Sequence, residues 1–99
     1  MTSDRSAELI RTACEVAGVD DFGGDSYLPG LEQLVQSLDE EATLDDLAKL
    51  TLDGMIVGHL LNHLRVTAWI GDNPGALEVP VDRPVFIVGL PRTGTTLLH

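Results

Sequence analysis

A short run of consecutive apolar, β-favouring residues, 85–88, constrains the fold of this chain more than any other feature. Pro84 precedes it and favours an extended backbone rather than a helix at that point. A run that is apolar at every position is typical of a strand buried on both faces of a parallel sheet. Such a strand needs neighbours, and no other segment of the sequence is strand-like. The sequence therefore predicts an α/β fold, in which a helical N-terminal region leads into the first strand of a doubly wound parallel sheet that is incomplete in this chain.

Three helical patterns precede the apolar run. Apolar residues recur at steps of three and four over residues 3–17, 27–42 and 43–70. Ser3 and Thr43 are the predicted N-caps of the first and third helices, and Gly18 is predicted to end the first. Phe22 is the predicted apolar anchor of the turn-rich connection after Gly18. The third pattern predicts either one long helix or a helix that breaks near Gly54 or Gly58.

A turn-forming sequence, Asp-Asn-Pro-Gly at residues 72–75, divides the chain into two predicted parts. Residues 1–75 are expected to form a helical region of three helices. Residues 76–99 are expected to hold a connection, the first β-strand, a phosphate-binding loop and the start of a helix, as the truncated beginning of a larger domain.

The charge of the chain excludes two classes of partner. Sixteen acidic residues oppose six basic ones, so the net charge is −10. Twelve of the acids lie in residues 1–50, and a surface of that kind repels nucleic acid and anionic membrane. Cys14 is the single cysteine, which rules out an internal disulfide and suits a reducing compartment. Because no stretch approaches the roughly 18 apolar residues of a membrane span and the N-terminus does not resemble a signal peptide, the predicted location is cytoplasmic.

The residues after the apolar run have the spacing of a phosphate-binding loop. Gly89 and Gly94 are five positions apart, as in the pattern G-x-x-x-x-G-K-[ST] of nucleotide hydrolases. A phosphate group must approach the backbone closely, so side chains are absent at the turns and successive N–H groups point into the concavity. The threonines at positions 95 and 96 add hydroxyl donors.

The departure from that pattern is equally informative. Thr95 occupies the lysine position, and the nearest fixed positive charge is Arg92, two residues before Gly94. The loop thus lacks the ammonium group that contacts the terminal phosphates of a nucleoside triphosphate. A phosphotransferase that uses ATP is therefore a weak alternative.

The sequence PVFIVG followed by LPRTGTTLLH resembles the sulfotransferases that use 3′-phosphoadenosine 5′-phosphosulfate (PAPS), and bacterial members most of all. In that family this segment binds the 5′-phosphosulfate group. The resemblance implies no metal and a cofactor-binding set of seven residues: Gly89, Pro91, Arg92, Thr93, Gly94, Thr95 and Thr96. It also implies that Arg92 is catalytic, since a fixed cation stabilises charge on the leaving phosphate.

The implied activity is transfer of a sulfuryl group from PAPS to a hydroxyl or amine of a small-molecule or glycolipid acceptor. In the family, the catalytic base and the 3′-phosphate-binding residues lie downstream of this segment. The chain is therefore expected to be the N-terminal piece of a larger enzyme and inactive alone. The alternative is a non-catalytic helical interaction module, or a truncated gene product, with a vestigial loop. The acceptor and the oligomeric state do not follow from the sequence.

Other candidate residues have simpler interpretations. His59 and His63 share a helix face at i, i+4, but no glutamate follows His59, so a packing or surface role is favoured over metal binding. His99 belongs to the family's loop sequence and is not assigned as a base. Cys14 and Trp69 are interpreted as core residues.

Overall fold

The computed structural model describes residues 3–91, Gly94 and Leu97. Three α-helices follow one another along the chain, and a short 3₁₀ helix comes after them. Their bounds are Asp4–Ala17 (α1), Leu28–Glu40 (α2), Asp46–Asp72 (α3) and Pro74–Glu78 (the 3₁₀ helix).

Local capping fixes both ends of α1. The Ser3 hydroxyl accepts a hydrogen bond from the backbone N–H of Ser6 at 3.2 Å. At the other end Gly18 adopts φ +72°, and its N–H donates to the carbonyl of Cys14 at 2.9 Å. Both caps are those the sequence predicts, because serine satisfies free N–H groups and glycine tolerates the left-handed conformation that ends a helix.

The N-cap of the third helix lies two residues after the expected one, Thr43. Asp45 caps it instead, and its carboxylate accepts from the N–H of Ala48 at 2.7 Å. A charged acceptor at a helix N-terminus also interacts favourably with the helix dipole, which explains the preference for aspartate. The helix then runs unbroken through Gly54 and Gly58, so the single-helix alternative is correct.

The core lies where α1 packs against both α2 and α3. Eight apolar side chains are buried there: Leu9, Ala13, Phe22, Leu31, Val35, Ile56, Leu60 and Leu64. Burying a side chain of this kind stabilises the fold by about 1.5–3 kcal/mol. Helix α1 is the central element, because it contacts both α2 and α3.

One arginine joins all three helices. The guanidinium of Arg5, on α1, forms ion pairs with Asp39 on α2 and with Asp53 on α3. The Arg5 side chain is only 23% exposed, so solvent screens these pairs less than it screens ordinary surface pairs. Nearby, the backbone N–H of Ser3 donates to the carboxylate of Glu32 at 3.1 Å and adds a second link between α1 and α2.

The predicted α/β fold is wrong for the part of the chain that the structure describes. Residues 3–91 contain helices and no β-strand, so there is no sheet in that range. Residues 85–88 adopt no regular structure, and Val85, Phe86 and Val88 are 80–90% exposed. The physical reason is that backbone N–H and C=O groups of a strand must pair with a neighbouring strand. An apolar run provides side chains that favour burial, but it does not provide the neighbouring strand whose backbone groups it would pair with.

The connection before that run also differs from the expectation. Residues 74–78 form a 3₁₀ helix where an extended segment is predicted from residue 76. Arg83 adopts φ +52°, a region that residues other than glycine rarely occupy. The chain therefore bends at Arg83, immediately before Pro84.

Candidate phosphate-binding segment

The segment that carries the predicted loop follows the helical bundle as an exposed extension. Every residue from 79 to 91 is exposed, including Gly89 and Pro91 of the predicted cofactor-binding set. Pro91 lies in a turn at the end of this stretch. The backbone at these positions is therefore open to solvent and sterically accessible to a ligand.

Gly94 has a backbone conformation that favours glycine. Its φ is +89°, and a Cβ built at this position has no described atom within 4 Å. The N–H of Leu97 donates to the Gly94 carbonyl at 3.1 Å, and Leu97 is helical. Since an L-residue at this φ is strained whatever space surrounds it, the requirement for glycine at position 94 is conformational rather than steric.

The remaining predicted residues of the loop lie outside the described residues. They are Arg92, Thr93, Thr95, Thr96 and the neighbouring His99. Their assignment to cofactor binding, and that of Arg92 to catalysis, stays a prediction from sequence.

The two histidines of α3 have different surroundings. His63 packs against the rings of Phe22 and Tyr27, with centroid distances of 5.5 and 5.7 Å, and its Nε2 lies 2.7 Å from the Phe22 carbonyl oxygen. His59 is exposed and lines a shallow groove that also includes Asn62. The described residues contain no group of three potential metal ligands. A packing role is thus observed for His63.

The aromatic cluster around His63 anchors the loop between α1 and α2. Phe22 is buried, as the sequence indicates for the apolar residue of this turn-rich connection, and stacks on Tyr27 at 4.3 Å. Burial raises the pKa of the Tyr27 phenol, and the nearby charge of Asp25 acts in the same direction. Sequence patterns miss this cluster because its members are 36 or more positions away from His63.

Cys14 and Trp69, the two residues that the sequence indicates as core residues, have different surroundings. Cys14 is half-buried beside the core, and desolvation, with a smaller effect of Asp20, raises the pKa of its thiol. A raised thiol pKa lowers the thiolate fraction and so disfavours a nucleophilic role. Trp69 is 57% exposed, so its interpretation as a core residue is wrong.

The comparisons with known proteins add no assignment. No protein family, curated protein or solved structure matches the chain. Within the described residues, none of the helices is both long and apolar enough to cross a membrane.

Proposed function

We propose that residues 89–96 bind the 5′-phosphosulfate group of PAPS and that the protein functions in sulfuryl transfer to a hydroxyl or amine acceptor, either a small molecule or a glycolipid. The observation that carries this proposal is the order of residue types after Gly89: a basic residue (Arg92), a small hydroxyl residue (Thr93) and then Gly-Thr-Thr at 94–96. A lysine-dependent nucleotide hydrolase lacks that order, because its ammonium group follows the second glycine.

The conformation of Gly94 supports the proposal. At φ +89° this residue turns the backbone in a way that suits glycine, at the position where the phosphate-binding pattern calls for one. The hydrogen bond from Leu97 to Gly94 closes a tight turn directly after it. Exposure of Gly89 and Pro91 leaves the approach to that turn open.

The proposed chemistry assigns a separate role to each residue type. Backbone N–H groups and the hydroxyls of Thr95 and Thr96 bind the phosphate oxygens. Arg92 neutralises the charge that develops on the bridging oxygen as the S–O bond breaks. The sulfuryl group passes to the acceptor oxygen or nitrogen, the acceptor releases its proton, and adenosine 3′,5′-bisphosphate leaves. Arginine stays protonated at neutral pH, so its role is electrostatic.

The direct test is binding of adenosine 3′,5′-bisphosphate to the 99-residue chain. We expect a weak interaction, with Kd on the order of 1 mM for contacts to one phosphate group. The amide signals of Gly89, Gly94 and Leu97 should shift in two-dimensional NMR spectra, while those of the buried core stay in place. Arg92→Ala should weaken binding at least tenfold, since it removes a charge-assisted hydrogen-bond donor.

A matched control is available nine residues earlier. Arg83→Ala removes the same charge at an exposed residue outside the predicted loop and should leave binding within about twofold. Equal binding by the Arg92→Ala and unmodified chains would contradict the proposal, as would the absence of any shift at Gly94. ATP as a competitor tests the phosphotransferase alternative, because preference for ATP over the bisphosphate would favour that activity.

A second candidate function is a helical interaction module without catalysis. The observation in its favour is the large apolar surface that α3 leaves uncovered, with Leu47 and Leu50 more than 70% exposed. A folded chain that binds neither the bisphosphate nor ATP would favour this second function.

A further inference from the structure

Helix α3 has a second apolar face, on the side opposite the core. The buried residues Ile56, Leu60 and Leu64 define the inner face. On the outer half of the helix five large apolar side chains are 48–72% exposed: Leu47, Leu50, Met55, Val66 and Trp69. We call these five residues the outer face of α3. A helix that is apolar on both sides is typical of one covered on both sides.

The distribution of charge separates this face from the rest of the bundle. Between residues 47 and 71 the sequence contains a single acid, Asp53, and Asp53 is paired with Arg5 toward the core. The other acids of residues 1–75 lie before residue 47 or at Asp72. A basic partner would bind the acidic surfaces of α1 and α2 in preference to this one. Arg65 is an exposed charged side chain on this side of the helix, since it lies four positions before Trp69. The outer face is otherwise apolar, which suits a partner surface that is also largely apolar.

The exposed apolar area of the outer face is large enough for a contact between two copies of the chain. Five side chains of this kind expose on the order of 600 Å², the upper end of the apolar patches found on monomers. An isologous contact between two such patches buries about 1,200 Å² in total, which reaches the lower limit of specific interfaces. The face runs over 23 residues of one helix, 47–69, about 33 Å along the helix axis. Two copies of α3 therefore offer enough apolar surface for a weak, specific dimer.

We propose that the outer face of α3 is a self-association surface and that two copies of the chain pair through it. In such a dimer α1 lies on the far side of each α3, so the acidic surfaces point away from the contact. Gly54 and Gly58 lie between Leu50 and Leu61 on the outer side, and a Cβ at either has no described atom within 4 Å. Their missing side chains allow the two helix backbones to approach closely.

Sedimentation equilibrium of the 99-residue chain over about 1–200 µM tests the proposal, since a contact of this size gives micromolar affinity. We expect a monomer–dimer equilibrium that tightens when salt screens the repulsion between two chains of net charge −10. Trp69 is the only tryptophan, so its emission should shift to shorter wavelength as the dimer forms. A chain that stays monomeric over this range in 0.5 M NaCl would overturn the proposal.

Two substitutions with the same change of charge localise the contact. Leu50→Lys places a cation in the outer face and should weaken the dimer at least tenfold, while lysine and leucine have similar helix propensity. Leu77→Lys is the matched control, because Leu77 is 72% exposed against 71% for Leu50 but lies outside α3. It should change the dimer less than twofold. Equal effects of both substitutions would contradict an interface on α3.

The glycines provide a variant that cannot fail by unfolding. Replacing Gly54 and Gly58 by alanine raises helix propensity, so the monomer should melt about 4–8 °C higher for each substitution. The same change adds methyl groups in the contact and should weaken the dimer several-fold. Phe86→Lys tests the other exposed apolar segment, residues 85–88. Loss of the dimer in Phe86→Lys, with none in the glycine double variant, would overturn the proposal.

Discussion

Arg5 determines more of this fold than any other single charged side chain that the structure describes. Its guanidinium contacts carboxylates 34 and 48 positions away, on two helices that both pack on α1. Each carboxylate is partly exposed, at 44% for Asp39 and 35% for Asp53, so the pairs are screened but not negligible. The arrangement fixes the relative positions of three helices with one planar donor group.

We expect Arg5→Ala to lower the free energy of unfolding by about 1–2 kcal/mol, because two carboxylates lose a charge-assisted partner. Urea denaturation followed by circular dichroism measures the change. Replacing Asp39 and Asp53 by asparagine in the Arg5→Ala background provides a double-mutant cycle. If the charged aspartates matter only through Arg5, these further substitutions should have almost no effect in that background.

The burial of individual residues is harder to predict from sequence than the positions of the helices. Phe22 was predicted as an anchor and is buried, because it is the one large apolar residue in a turn-rich stretch. Trp69 was predicted as a core residue and is exposed, because helical periodicity along α3 fits more than one face. The type of a side chain determines how much free energy its burial contributes. Which face another element covers is decided by tertiary contacts.

At the scale of the element, the helices were predictable and the strand was not. The repeat of apolar residues at steps of three and four, with Ser3 and Gly18 as caps, contains the information for α1. Residues 85–88 show the limit of the same reasoning, since their apolar pattern describes a buried environment that no described element provides. A helix satisfies its own backbone, whereas a strand depends on a partner elsewhere. For the candidate site, the structure gives Gly94 a φ of +89°, which favours glycine, and its role in cofactor binding stays a prediction from sequence.

The start of α3 provides a test at this scale. Asp45→Ala should lower the free energy of unfolding by about 1 kcal/mol, because the N–H of Ala48 loses its capping carboxylate. Thr43→Ala is the matched control and should change stability by less than about 0.3 kcal/mol, within the usual range for surface substitutions. A larger loss in Thr43→Ala than in Asp45→Ala would place the N-cap at residue 43.

For the whole molecule, the dominant quantity is the excess of negative charge. Fourteen of the sixteen acids lie in residues 1–75, beside four of the six basic residues, so the helical bundle carries the entire net charge of −10. Like charges on one compact surface repel and favour the expanded, unfolded chain. The ion pairs of α1 oppose this effect locally: Arg5 pairs with Asp39 and Asp53, and Arg11 pairs with Glu8 and Glu15.

We expect the thermal midpoint to rise by about 5 °C between 10 mM and 0.5 M NaCl, equivalent to roughly 1 kcal/mol for a domain of this size. Circular dichroism at low micromolar concentration measures the midpoint. The Leu50→Lys variant should show the same rise, which separates intramolecular repulsion from self-association. A midpoint that falls with salt would mean that the ion pairs of Arg5 and Arg11 outweigh the net repulsion.

The long sequence separation between α1 and its partners has a consequence for folding on the ribosome. Helix α1 has 14 residues and is too short to be stable alone, and its partner residues Ile56, Leu60 and Leu64 are synthesised more than 35 residues later. At about 5–20 residues per second, the N-terminal helix waits some seconds for the surface that covers it. The part of the core between α1 and α3 therefore forms late, when α3 has left the exit tunnel and α1 can dock on it, although α2 is available to α1 earlier.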